Sequence, residues 1–305
     1  MSFLDGEDIL ATDYIIQVVA GETLATRDAV YISDADGKAY KTDQDDLTKI
    51  GFVGFVVLGV SAAATVNILP WGVMGGFSSL TPNALYYLSA TAGAITVTKP
   101  ANFKIVAKAI SATAIHIWQA PTERIRVYTS SDTWTKPGGL LFIDIECQAP
   151  GGTGGGGSGS NWGAAGGGSG GYARKRAYPA DLAATETVTI GATTSFTLVG
   201  TDVSCTSGGN ASTTTPGTGG SASGGDVNIA GNSGAYGKSG AGEEICGSGA
   251  SSPLGIGGGG RGSSGAGVSA SGYGAGGGGA LNTGSSNSFS GGSSSPGIII
   301  VKEYY

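Results

Sequence analysis

Glycine is spread so unevenly along this chain that it divides it in two. Ten of the 59 glycines fall in residues 1–120 and the other 49 in residues 121–305. The second stretch is about a quarter glycine, against roughly 7% in ordinary proteins. Its densest part, GGTGGGGSGSNWGAAGGGSGGYARK at 151–175, admits three readings: a flexible linker, a disordered tail, or a folded element built from glycine. Disordered chains usually combine low hydrophobicity with high charge. Here charge is scarce: between Cys205 and Gly297 it is confined to Asp226, Lys238, Glu243, Glu244 and Arg261.

The flanks of the glycine favour a folded element. Leu141, Ile143, Ile145 and Cys147 alternate with Phe142, Asp144, Glu146 and Gln148, the period-two pattern of a half-buried strand. Nearly 150 residues later the chain reads SPGIIIVKEYY, and an exposed run such as Ile298–Val301 would invite aggregation. A third island, TETVTIGATTSFTLVG within 185–203, reads strand, turn, strand. Pairing these islands encloses the glycine in one domain. Extended glycine with three residues per turn, as in polyproline II, lets backbones approach closely enough to bond between segments. The glycine runs at 154–157, 166–168, 257–260 and 276–279 keep no strict Gly-X-Y period, which excludes a collagen triple helix and permits stacked short glycine helices.

Residues 1–120 carry a different pattern. DYIIQVVA, GETLATRDAVYIS, KAYKTD, GFVGFVVLGV, TVNILPWGV, ALYYLSA, AITVT, FKIVAKAI and AIHIWQ follow at short intervals, with Gly, Asp and Pro at the breaks. That spacing predicts an all-β barrel or sandwich. Thr91-Ala92-Gly93-Ala94 reads as a tight hairpin, and Asp45, Asp46 and Lys49 as one short helical turn. The uncharged run 50–69 has the length of a membrane span, but Gly51, Gly54 and Gly59 interrupt it and Ser61, Thr65 and Asn67 are polar, which suits two buried strands better. The opening MSFLDGEDIL is acidic and predicts no secretory leader. The fold expected is therefore all-β. An N-terminal β-barrel or sandwich domain over 1–120 precedes a glycine-rich domain over 121–305, made of β-strands and stacked polyglycine II helices.

Several functions lose support. A net charge of −6 argues against nucleic acid, and Arg174-Lys175-Arg176 is too short to track a backbone. Cys147, Cys205 and Cys246 are odd in number and widely spaced, predicting buried free thiols rather than zinc or a disulfide framework. His116, the single histidine, sits among alternating apolar residues with no nucleophile to serve. Asp43 to Asp46 lack the glycine and distal glutamate of a calcium loop. The dinucleotide pattern at Gly152, Gly154, Gly157 and again at Gly274, Gly276, Gly279 is expected by chance at this glycine density. Gly231 to Ser239 holds one residue too many for a phosphate-binding loop, and the Asn210 sequon means little without a secretory route. No enzyme, metal or cofactor is expected. A glycan depolymerase needs paired carboxylates across a groove, whereas Glu243 and Glu244 are adjacent and diverge.

The order TSSDTWTKPGG (129–139), a glycine block ending GGYARK (170–175), TVTIGATTSF (187–196), more glycine, and PGIIIVKEYY (296–305) resembles the glycine-rich domain of bacteriophage tail fibre and tail tip proteins. The likeness spans about 180 residues. In tip adhesins of T-even-like phages such domains stack polyglycine II helices, and their loops touch the host receptor; this chain has few aromatics in its loops. ETLATRDAVYISDADGKAYKTD and SSLTPNALYYLSATAGAITVT are similar to a β module of phage structural proteins that serves attachment to the particle.

The resemblance implies a virion component, a short tail fibre or receptor-binding adhesin. Its N-terminal domain would hold other virion proteins, and its glycine-rich domain would face a host cell-surface glycan or outer-membrane protein. It also implies a homotrimer. The alternative is a head fibre or capsid decoration protein with a structural glycine-rich spike. Aromatics set within glycine are the expected receptor contacts: Trp162, Tyr172, Tyr236, Tyr273 and Phe289. The competing role for each is to cap a glycine stack or plug the core.

Overall fold

The apolar run 50–69 folds back on itself. It supplies two neighbouring strands, with Phe55 opposite Leu69 and Val56 opposite Ile68. The structure, a computed structural model, describes residues 15–100, 103–118, 123–240, 243–284 and 286–305, so the reading of MSFLDGEDIL lies outside the described residues. The protein is all-β, with its strands paired antiparallel in several sheets. Two units can be distinguished: Met1–Arg124 with Thr135–Leu141 and Tyr304–Tyr305, and Ile125–Trp134 with Phe142–Glu303.

In the first unit, β1 (Ile16–Val19), β2 (Ala29–Ile32), β3 (Ala39–Lys41), β4 (Phe52–Val56) and β5 (Thr65–Leu69) form one sheet in the order β1-β5-β4-β2-β3. A second sheet takes β6 (Gly72–Met74), β7 (Leu85–Leu88), β8 (Ile95–Thr96), β9 (Ile105–Ala109) and β10 (Ile115–Ile117) in the order β6-β10-β9-β7-β8. Neither closes, which removes the barrel alternative for 1–120. At the margins of the first sheet an isolated bridge joins Ala20, next to β1, with Ala39 of β3, and the Gly21 amide donates to Ala39 O at 2.8 Å. Leu24, Val30, Val56, Val66 and Ile68 make its apolar core. Phe55 is fully buried and meets Phe77 edge-on at 6.0 Å. Gly93 adopts φ +77 in the hairpin between β7 and β8, and Asp46 caps the short turn Leu47–Lys49.

In the second unit, β11 (Glu123–Tyr128), β12 (Asp132–Thr135), β13 (Phe142–Gln148), β14 (Trp162–Gly163), β15 (Tyr172–Ala177), β16 (Thr185–Thr189), β17 (Thr193–Phe196), β18 (Val203–Thr206), β19 (Ala222–Ser223), β20 (Val227–Ile229), β21 (Gly255–Ile256), β22 (Ser271–Gly272), β23 (Leu281–Asn282) and β24 (Ile298–Tyr304) follow in chain order. They form sheets β11-β24-β13-β15-β20 and β12-β16-β17-β18-β19, with β14-β23 and β21-β22 as short pairs. The two larger sheets touch through β13 and β15 of one and β17 and β18 of the other. Ile143, Ile145 and Cys147 are buried as the alternation predicts. Two of the expected outward residues are buried as well. Asp144 is clamped by both Nε and an Nη of Arg176 at 2.9 Å, and Gln148 gives its amide to the carbonyls of Ala149, Gly170 and Gly171 at 3.1 Å. The guanidinium holds the Asp144 carboxyl below the usual carboxylate range.

Trp134 of TWTKP and Glu303 of VKEYY meet inside this unit. Trp134 is fully buried against Phe196, its indole N–H donating to Glu303 Oε1 at 2.6 Å, with Arg126 Nε 2.7 Å from the same oxygen. A buried carboxylate is tolerated because it is paired and hydrogen-bonded.

The glycine segments between the strands bond to one another with a period of three. In segment 149–157 the amides of Ala149, Gly152 and Gly155 donate to the carbonyls of Gly171, Gly168 and Ala165, while those of Gly151, Gly154 and Gly157 donate to Ser295, Gly292 and Phe289. Segment 163–171 sends Ala164, Gly167 and Gly170 to the chain at 274–280, Gly166 and Ser169 to 232–235, and Gly168 and Gly171 to 206–209. It accepts from 149–155, from Gly217 and Gly220, and from Gly247 and Ala250, so it has six neighbours. Glycine is required by that closeness. A Cβ on Gly168 would overlap the carbonyl of Thr218, and one on Gly277 that of Gly292. At the margin the requirement relaxes to one face: Gly231, Gly234 and Gly237 turn inward while Asn232, Ser233, Ala235, Tyr236 and Lys238 are exposed.

Candidate functional site

Segments 149–157 and 163–171 continue β13 and lead into β15, and segment 289–297 leads into β24. Their far ends, away from these strands, carry the connections after Gly157, Ser212, Lys238, Gly260 and Asn282. These connections are stitched together by short polar side chains. Asn282 Nδ2 donates to the carbonyls of Gly159 and, at 2.9 Å, Asn287. The Ser264 hydroxyl lies 3.0 Å from that of Thr283 and accepts the Thr283 amide at 2.8 Å. Thr213 Oγ1 donates to Gly156 O at 2.9 Å, and the Gly240 amide to Asn161 O at 3.2 Å. Asn161 holds φ +59, a conformation asparagine reaches more readily than most residues. Lys238 and Glu243 form an exposed ion pair in this polar rim, which also holds Glu244 and Arg261.

The five expected aromatics separate into two groups. Trp162, Phe289 and Tyr236 lie toward the looped end; Tyr172 and Tyr273 lie at the strand end. Trp162 is only 5% exposed, packs with Ala164, Ala280 and Phe289, and donates its indole N–H to Gly159 O at 2.9 Å. It therefore anchors the loop 158–161 from below, with Phe289 half-buried beside it. Tyr236 is 77% exposed, directly after Ala235, whose carbonyl accepts the Gly166 amide at 2.9 Å. Tyr172 lies half-buried on β15 with its hydroxyl 3.4 Å from Glu146, and burial together with that carboxylate raises its pKa. Tyr273 is half-buried beside the 252–255 turn, its amide bonded to Leu254 O. Ile245, 60% exposed and bridged to Lys238, is not singled out by its sequence setting.

The motifs that glycine density throws up are accounted for by the array. Gly152 and Gly154 of one dinucleotide-like pattern, and Gly231 and Gly234 of the phosphate-loop-like stretch, already spend their amides on neighbouring carbonyls. They are not free to cradle an anion. Glu243 is paired with Lys238, His116 faces outward on β10, and the carboxylates of Asp43 and Asp46 accept local backbone amides. Among the described residues no group of three or more His, Cys, Asp or Glu could hold a metal ion. No helix among them is long and apolar enough to cross a membrane.

No protein-family model matches the chain, and a search of curated proteins returns no match.

Proposed function

We propose that the glycine segments are polyglycine II helices stacked side by side, and that the protein is a non-enzymatic phage virion component, a short tail fibre or receptor-binding adhesin. The observation that carries this reading is the period-three bonding of segment 163–171 to six neighbours, with the connections after Gly157, Ser212, Lys238, Gly260 and Asn282 at the end away from the strands. Three residues per turn with no internal hydrogen bonds is the geometry of such a helix. A stack of this kind holds its loops on a rigid base made of backbone, which preorganises a binding surface. The loops are rich in Ser, Thr, Asn and Gly with Tyr236 and Ile245 exposed, a make-up suited to a surface glycan or the loops of an outer-membrane protein. In this reading residues 1–120 attach the protein to the particle, as a homotrimer.

The test is saturable binding of the fluorescently labelled full-length protein to the bacterium that the source phage infects, with competition against phage adsorption. The adhesin reading expects both. Absence of cell binding at every concentration would leave a structural spike, such as a head fibre or decoration protein.

A further inference from the structure

Cys147 and Cys205 are 58 positions apart and give no sign in the sequence of belonging together. In the fold they lie on strands of the two facing sheets, Cys147 on β13 and Cys205 on β18, both fully buried. The Cys205 thiol rests 3.4 Å from the main-chain oxygen of Cys147. The Cys147 thiol donates at 3.2 Å to the oxygen of Thr194, the residue paired directly with Cys205 across β17 and β18. Each sulfur thus lies against the partner's backbone or its immediate neighbour. Cys246 is elsewhere, its sulfur accepting the Arg261 amide at 2.7 Å.

We infer that Cys147 and Cys205 are a disulfide site that closes between the two sheets once the protein meets an oxidant. Hydrogen peroxide, small enough to reach a buried thiol when the sheets breathe, suffices. One thiol is oxidised to a sulfenic acid as the peroxide O–O bond breaks and one water leaves. The second sulfur then attacks the sulfenic sulfur, the S–S bond forms, and the sulfenic oxygen departs as a second water with the second thiol's proton. Two thiols and one peroxide give one disulfide and two waters. The neighbouring Cys205 thiol and burial push the Cys147 pKa up, so the reactive thiolate is scarce and closure in the native protein is slow. The bond would tie β13 to β18 around the loop that contains segments 149–157 and 163–171, beneath the strand end of the glycine array.

The test uses the full-length protein, treated with hydrogen peroxide and then unfolded in N-ethylmaleimide. Untreated protein, whose three cysteines are free, should take three adducts. Treated protein should be about 2 Da lighter before alkylation, keep an adduct on Cys246 alone, and yield one non-reduced peptide pair joining Cys147 to Cys205. Its unfolding midpoint should rise by roughly 10 °C, a rise absent in Cys205→Ala. A second arm removes the kinetic barrier of burial: the reduced, denatured protein is refolded in a buffer of oxidised and reduced glutathione. Recovery of folded protein with both Cys147 and Cys205 still alkylated, or with Cys246 replacing either in the cross-link, overturns the proposal.

Discussion

Phe55 in β4 and Gly168 in the glycine segment are both buried and both irreplaceable, for opposite reasons. Phe55 fills space: its ring meets Phe52 and Phe77, and the sheet around it is held by apolar burial. Gly168 leaves space, and its bare backbone lets the carbonyl of Thr218 approach where any side chain would stand. The first region gains stability from the hydrophobic effect with backbone ladders following. The second has almost no side chains to bury. It relies on satisfying main-chain donors and acceptors, segment to segment, in a crowded interior where an unmade bond is costly.

This contrast can be broken by substitution. The largest effect is expected for Gly168→Val, whose branched side chain cannot be accommodated without parting segment 163–171 from its neighbours; proteolysis within 151–295 should become rapid. Phe55→Ala should cost about 4 kcal/mol in the first unit. It should leave the glycine segments protease-resistant, and equal loss in both regions would show that the two do not stabilise themselves separately. Lys104→Met should stabilise the first unit by roughly 3 kcal/mol at pH 7, because burial lowers the Lys104 pKa to about 8. Below pH 8 the folded state carries that cost in full. Between 8 and the unfolded value near 10.5 the unfolded chain binds more protons, so wild-type stability climbs with pH; the methionine variant should lack that climb in urea titrations. The smallest effect belongs to Gly259→Ala, where a Cβ meets nothing within 4 Å; stability should change by less than about 0.5 kcal/mol.

Sequence made much of the first region legible. The Gly and Ser-Ala interruptions in 50–69 correctly pointed to two strands, and Gly93 marked its hairpin, because short-range turn chemistry decides both. The isolated bridge from Ala20 to Ala39 was not legible, since it is a tertiary contact that leaves no local pattern. In the glycine region the strands flanking the array could be read from alternation. Its three-residue spacing is visible at Gly231, Gly234 and Gly237, where one face meets solvent and tolerates side chains. It is invisible at 163–171, where six neighbours force small residues at every position and erase the period. The joining of Trp134 to Glu303 and of Cys147 to Cys205 is tertiary and leaves no local pattern. Tyr172 and Tyr273 were picked for their setting in glycine, yet that setting recurs at both ends of the array and does not say which end carries the loops.

The central claim is that the glycine-rich chain is an ordered, backbone-bonded array. Amide hydrogen exchange of the native protein tests it most directly. The account predicts that the amides of Gly167, Gly168 and Gly277, bonded at 2.8 to 3.0 Å to neighbouring segments, exchange as slowly as those of the buried strand β13, while Gly259 and Gly262 exchange freely. Exchange of all of them at the rate of an unstructured peptide would contradict it.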